Sequence, residues 1–169
     1  MARKFPKLSK IQVLFLIFTI AIMVTIFCLS AQDAEKSSDT SSFLTKVAVK
    51  ILYSDYDSQP PEVQKELWSK ASFIVRKLAH FSIYASLGFC ASVTAGKRRL
   101  FSAKSLGVIG FGFIYAMSDE FHQNFVKGRS CEFRDMMIDT GGVTVGMCVS
   151  LIIIGIIALF VRKIRRSNQ

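Results

Sequence analysis

Tyr115-Ala-Met-Ser-Asp-Glu-Phe-His-Gln-Asn-Phe-Val-Lys-Gly-Arg129 closes the third apolar run of the chain. Its last eleven positions hold Asp119, Glu120, His122, Gln123 and Arg129, whereas the fourteen residues between Lys104 and Asp119 carry no charge. Fourteen helical residues rise only about 21 Å, short of the roughly 30 Å hydrocarbon core of a bilayer. Lys104 can snorkel to one surface, so Asp119 and Glu120 are expected about a turn inside the membrane, with Phe121 and Phe125 completing the span. Ionisable groups at that depth are costly, and they are usually paired or functional. The stretch predicts a membrane helix with a chemically loaded end, whose partners must come from elsewhere in the chain.

The composition agrees with a membrane protein. Hydrophobic residues make up 51% of the 169 and charged residues only 20%, and the apolar ones cluster in runs long enough to span a bilayer. The length suits a single domain, residues 1–169. A net charge of +10 would suggest nucleic acid if spread over a soluble surface, but it is segregated. Arg3, Lys4, Lys7 and Lys10 precede the first run; Lys97, Arg98, Arg99 and Lys104 separate the second from the third; Arg162, Lys163, Arg165 and Arg166 follow the fourth. No acid lies among them. This is the positive-inside pattern, which predicts a multi-pass protein of the cell membrane with both termini cytoplasmic. A nucleic-acid partner is excluded. The four cysteines show no zinc spacing and read as three small hydrophobes within apolar runs plus a free thiol, Cys131, in an outer loop.

Four spans follow, at about 11–30, 73–95, 104–125 and 136–161, with an outer segment over 31–72. The first ends in Ser30-Ala-Gln32 and has too long a core and too poor a cleavage site for a secretory signal. In the outer segment, Phe43, Leu44, Val47, Ile51 and Leu52 recur at helical spacing around Lys46 and Lys50, an amphipathic pattern suited to the outer leaflet or to packing on the bundle. Tyr53 to Pro61 is a turn-rich break. A helix starting at Pro61 can run on into the second span. There Arg76, His80 and Tyr84 share a face, with Lys77 and Phe81 beside them. In the third span Tyr115, Asp119 and His122/Gln123 share a face and Glu120 points to its side. In the fourth, Asp135, Asp139, Gly142 and Gly146 stack. Gly142-Val-Thr-Val-Gly146 permits close helix approach, as do Gly88 and Ser92 in the second span and Gly107, Gly110 and Gly112 in the third. The expected fold is an all-α integral membrane protein, a compact four-transmembrane-helix bundle with an outer amphipathic segment.

This topology brings Gln32, His80, Asp119, Glu120, His122, Gln123, Asp135 and Asp139 to the outer end. Three chemistries fit. Arg76, Lys77, Arg129 and Arg134 could balance the four acids in a structural ion network. Arg129 and Arg76 could grip an anionic lipid or phosphate, with His80 or an acid for general acid/base work. Or His80, Asp119 and His122 could take a metal, Glu120 pointing to the opposite side from His122. The residues that would carry acid/base chemistry are His80, Asp119, Glu120, His122 and Asp135; those that would bind are Gln32, Arg76, Lys77, Tyr84, Gln123, Arg129 and Asp139. No metal or cofactor is assigned. No phosphate-cradling loop or nucleophile elbow occurs.

Ser30-Ala-Gln32, Arg76-Lys-Leu-Ala-His80-Phe81-Ser-Ile-Tyr84 with Gly88, Asp119-Glu120-Phe-His122-Gln123-Asn-Phe125, Gly128-Arg129, and Arg134-Asp135 followed by Asp139, Gly142 and Gly146 together resemble the VanZ-like membrane proteins. Ile83 and Ala31 stand where many relatives have an acid and a small polar residue, which argues against a carboxylate role on the second span. The resemblance implies an envelope protein of Gram-positive type, associated with reduced sensitivity to teicoplanin-class glycopeptides. The expected partners are membrane lipids and a lipid-linked cell-wall precursor. A non-catalytic membrane scaffold or partner subunit and a metal-dependent membrane hydrolase are the alternatives.

Overall fold

In the computed structural model, which describes residues 8–33, 41–96 and 100–167, an uninterrupted apolar pattern becomes helix wherever the sequence predicts it. Helix α1 spans Lys10–Ser30, α2 Ser42–Leu52, α3 Pro61–Ala95, α4 Ala103–Gln123 and α5 Phe133–Ser167, with a short 3-10 turn at Tyr56–Ser58 between α2 and α3. The described residues contain no strand. Of the basic residues expected to mark the cytoplasmic side, Arg3, Lys4, Lys7, Lys97, Arg98 and Arg99 lie outside the described residues.

Helix α1 begins in a capping box: the Ser9 hydroxyl accepts from the Gln12 amide while the Gln12 side chain accepts from the Ser9 amide, which satisfies two otherwise unpaired donors. Gln12 also donates to the Thr94 carbonyl at 3.0 Å, tying the start of α1 to the end of α3. Pro61 occupies the first position of α3, where its missing N–H costs nothing. Gly96, at φ 79°, ends the helix in a conformation that side-chain-bearing residues resist.

Helix α3 is the hub. It touches every other α-helix, most extensively α5. The apolar core draws on four helices: Ile26 from α1, Tyr84 and Leu87 from α3, Val108 and Ala116 from α4, Val143 and Met147 from α5. The α3–α5 crossing is close because its seam is built of small residues. A Cβ on Gly142 would press on the Phe81 carbonyl, one on Gly146 on the Ala85 carbonyl, and one on Gly88 on the backbone of Val143. Farther along, the Ser92 and Ser150 hydroxyls hydrogen-bond to each other. Gly112 faces the Val143 side chain, but nothing comes within 4 Å of a Cβ built on Gly107 or Gly110. Those two glycines do not mediate helix approach as expected, because they face away from the other helices.

Three helices, α1, α3 and α5, are long and apolar enough to cross a membrane. Helix α4 is long enough, but its polar last turns keep it outside that class. Apolar side chains remain exposed around the helices: Ile11, Ile17 and Val24 on α1, Ile152, Ile156 and Phe160 on α5. A soluble monomer does not tolerate so broad an apolar surface; lipid accommodates it. Helix α2 rests on α3 through buried Thr45 and Val49, while Phe43, Leu44, Val47 and Ile51 stay exposed. It therefore packs on the bundle with its less apolar side and keeps its strongly apolar side outward.

Candidate functional site

The last turn of α1, the middle of α3, the end of α4 and the start of α5 meet at one end of the helices, and the loop from Asn124 to Glu132 closes over them. Between them lies an open cleft of about 160 Å³. Arg76, Lys77 and His80 from α3, Glu120 and Gln123 from α4, Arg129 from the loop, and Asp135 and Asp139 from α5 all line it. Three helices, α3, α4 and α5, thus bring polar side chains to one cleft, and α1 supplies none of its wall.

The acids are sequestered: Asp119 is 4% exposed, Glu120 1% and Asp139 1%. Each has a different partner. The Asp119 Oδ2 atom accepts from Ser30 Oγ at 2.9 Å, Tyr84 Oη at 3.2 Å and Gln123 Nε2 at 3.2 Å. Glu120 Oε2 accepts from the Glu132 amide at 3.0 Å, so this α4 carboxylate anchors the end of the loop, where α5 begins. Asp135 pairs with Lys77. Asp139 Oδ2 lies 3.9 Å from His80 Nδ1, too far for a hydrogen bond.

The cations are less committed. Arg129 donates to Gln123 Oε1 at 3.3 Å and to the Leu29 carbonyl at 3.4 Å, and its Nε is buried without a partner among the described residues. Burial pulls its guanidinium below the ordinary value, nearby Arg76 adds to this, and Asp119, Glu120 and Asp33 oppose it. Arg76 lines the cleft and makes no ion pair with any acid among the described residues.

Four predicted members lie outside the cleft wall: His122, Gln32, Tyr84 and Asp119. His122 turns from the cleft and stacks on Phe27, ring centroids 4.6 Å apart. Successive helical residues are rotated by about 100°, so Glu120 and Gln123 turn to the cleft while His122, about 60° to the other side of Asp119, lies beside α1. Asp119 and His122 thus share the side turned to α1, with Glu120 to the side. Gln32 lies past the end of α1, half-buried and away from the cleft wall. Its expected place is taken by Ser30, fully buried in the last turn. Tyr84 lies beneath the cleft rather than in its wall, its hydroxyl on Asp119.

A family model described as VanZ/LLP1 matches residues 15–156, a stretch that contains all the residues lining the cleft. The chain belongs to the VanZ/LLP1 family. No curated protein and no solved structure matches it. Within this VanZ/LLP1 chain, sequence reading missed three contributors besides Ser30. The Glu132 amide and the wall residues Phe73 and Ile138 carry no motif of their own. A lone hydroxyl in the last turn of an otherwise apolar helix was the available signal for Ser30.

Proposed function

We propose that this protein crosses the cell membrane four times, with both termini cytoplasmic, and that its outward-facing cleft binds the anionic group of an envelope component. A lipid phosphate or a lipid-linked cell-wall precursor is the ligand class. Through such binding it would reduce sensitivity to teicoplanin-class glycopeptides, as the family resemblance implies. The observation that carries this reading is the pair Arg76 and Arg129. Both face one cleft, and neither guanidinium is taken by a carboxylate among the described residues. Arginine forks suit phosphate oxygens, and an anion between two such groups would relieve their mutual repulsion. Helix α4 supports the fourth crossing: it packs beside the three apolar helices, and its charged end lies where the cleft opens. The exposed apolar side of α2 supports an outer-leaflet position for that segment.

Two results are expected. Purified protein in nanodiscs binds phosphatidylglycerol or undecaprenyl phosphate in preference to phosphatidylcholine, by native mass spectrometry. The Arg76→Ala/Arg129→Ala variant loses at least about tenfold in that preference, since hydrogen bonds to charged groups contribute roughly 1.5–3 kcal/mol each; Lys46→Ala, on α2, serves as the control. Unchanged selectivity in the double variant refutes the reading. Reporter fusions at Gly128 and Gln169 must report opposite sides of the membrane, and a shared side removes the outward-facing cleft.

The Lys77–Asp135 pair favours a second reading, a non-catalytic scaffold whose charges only tie helix ends together. That reading predicts that the Arg76→Ala/Arg129→Ala variant loses thermal stability without any change in lipid selectivity.

A further inference from the structure

Two buried carboxylates, Asp139 in the cleft wall and Asp119 behind it, lie close together without a lysine or arginine partner among the described residues. Asp119 and Asp139 come from different helices, and donor atoms from these two residues and His80 lie within 4.8 Å of one another. No lysine or arginine among the described residues pairs with either: Lys77 is with Asp135, and Arg76 and Arg129 make no ion pair with an acid. Asp119 Oδ1 and Asp139 Oδ2 are both buried and have no hydrogen-bond partner among the described residues. Enclosing two like charges in this way is strongly unfavourable unless something positive joins them.

The donor geometry indicates what that is. Ser30, Tyr84 and Gln123 all bond to the same oxygen of Asp119, Oδ2. They fix the carboxylate and leave Oδ1 unused, as outer hydrogen bonds do for a metal-ligating acid. The 3.9 Å between His80 Nδ1 and Asp139 Oδ2 exceeds a hydrogen bond, yet two ligands each about 2.1 Å from one ion are separated by roughly 3–4 Å.

We propose that His80, Asp119 and Asp139 bind one divalent cation of the Zn2+ or Mn2+ kind. One imidazole with two carboxylates is a mixed nitrogen–oxygen set that suits such ions better than Mg2+ or Ca2+, which favour oxygen alone. The remaining coordination positions would face a cleft lined by Arg76 and Arg129, where a phosphate oxygen could complete the shell. The ligand set differs from the sequence-level grouping: Asp139 replaces His122.

The test uses full-length protein in detergent, stripped with chelator, then exposed separately to Zn2+ and Mn2+ and freed of excess ion. Elemental analysis should find close to one ion per chain in the native protein, and less than about a tenth of that in His80→Ala and in Asp139→Asn. An ion at a hundred times its Kd should raise the native Tm by about 5–10 °C and leave both variants unmoved. The stripped Asp139→Asn protein should melt at or above the stripped native protein, because one of two facing charges has gone; its loss of metal then cannot be laid to unfolding. Absence of retained ion and of any Tm response with both metals overturns the proposal. So does equal retention by the variants, which would put the ion elsewhere. Lipid selectivity on the same samples separates the two ideas. Metal bound without anion preference leaves this inference standing and the proposed function refuted; anion preference without metal does the reverse.

Discussion

Gly146→Ala lowers the Tm of the detergent-purified protein by about 6–12 °C, and Gly146→Leu leaves little folded material. A Cβ at position 146 would overlap the Ala85 carbonyl and come within 2.9 Å of the Phe89 amide. These are backbone atoms, so no side-chain rotation relieves the clash and the two helices must separate. Overpacking of a tight interface costs typically about 1–3 kcal/mol, and the backbone contact puts this site at the upper end. For a chain of this size each kcal/mol moves Tm by roughly 2–4 °C. Gly155→Ala is the matched control on the same helix, because nothing lies within 4 Å of its Cβ. There alanine should be neutral or stabilising by up to about 1 kcal/mol, through its better helix propensity. The consequence reaches the cleft: Asp139 is two turns away on the same face of α5, so opening the crossing withdraws it from His80. Equal tolerance of alanine at 146 and 155 would show that the seam does not hold the helices at this distance.

The seam was legible on α5 because Gly142 and Gly146 are four apart beside two acids on the same face, so periodicity alone gave the face that meets α3. Gly107 and Gly110 have the same residue type in the same kind of run, yet their face meets no helix; glycine content does not reveal which side of a helix is occupied. Helix existence was readable from apolar runs and the Pro61 start. Convergence of the polar groups followed from counting crossings, which fixes depth along each helix. Rotation about the axis was the weaker inference. His122 and Gln123 are neighbours in sequence, and only the position of α1, with Phe27 reaching over, decides that one stacks and the other enters the cleft. Ser30 and Gln32 differ likewise: the longer amide looked the better ligand, but the helix ends at Ser30 and a short hydroxyl is what fits against Asp119. The uncommitted state of Arg76 was invisible in sequence, since four acids and four basic residues at similar depth allow complete pairing on paper.

That incomplete pairing makes Lys77 the cation on which the acidic wall depends. Among the described residues, it supplies the Asp135 side chain with its sole hydrogen bond, and the second oxygen, Oδ1, is buried without any. Glu120 and Asp139 lie close by, both nearly inaccessible. Lys77→Met removes the charge while keeping most of the volume, and leaves Asp135 unpaired among like charges. Removing one partner of a fully buried pair costs roughly 3–5 kcal/mol. A quarter of the Lys77 side chain is exposed, so about 2–3 kcal/mol, or roughly 4–12 °C in Tm, is expected here. The informative result is the double variant. Lys77→Met/Asp135→Asn should recover to within about 1 kcal/mol of the native protein, because the cost lies in the stranded charge rather than in the lost contact. Arg76→Met, at the adjacent position, should change Tm little while weakening anion binding, since this guanidinium pairs with no acid among the described residues. If Arg76→Met destabilised as much as Lys77→Met, the two cations would share one structural network, and the separation between a cation that supports the wall and one left for a ligand would fail.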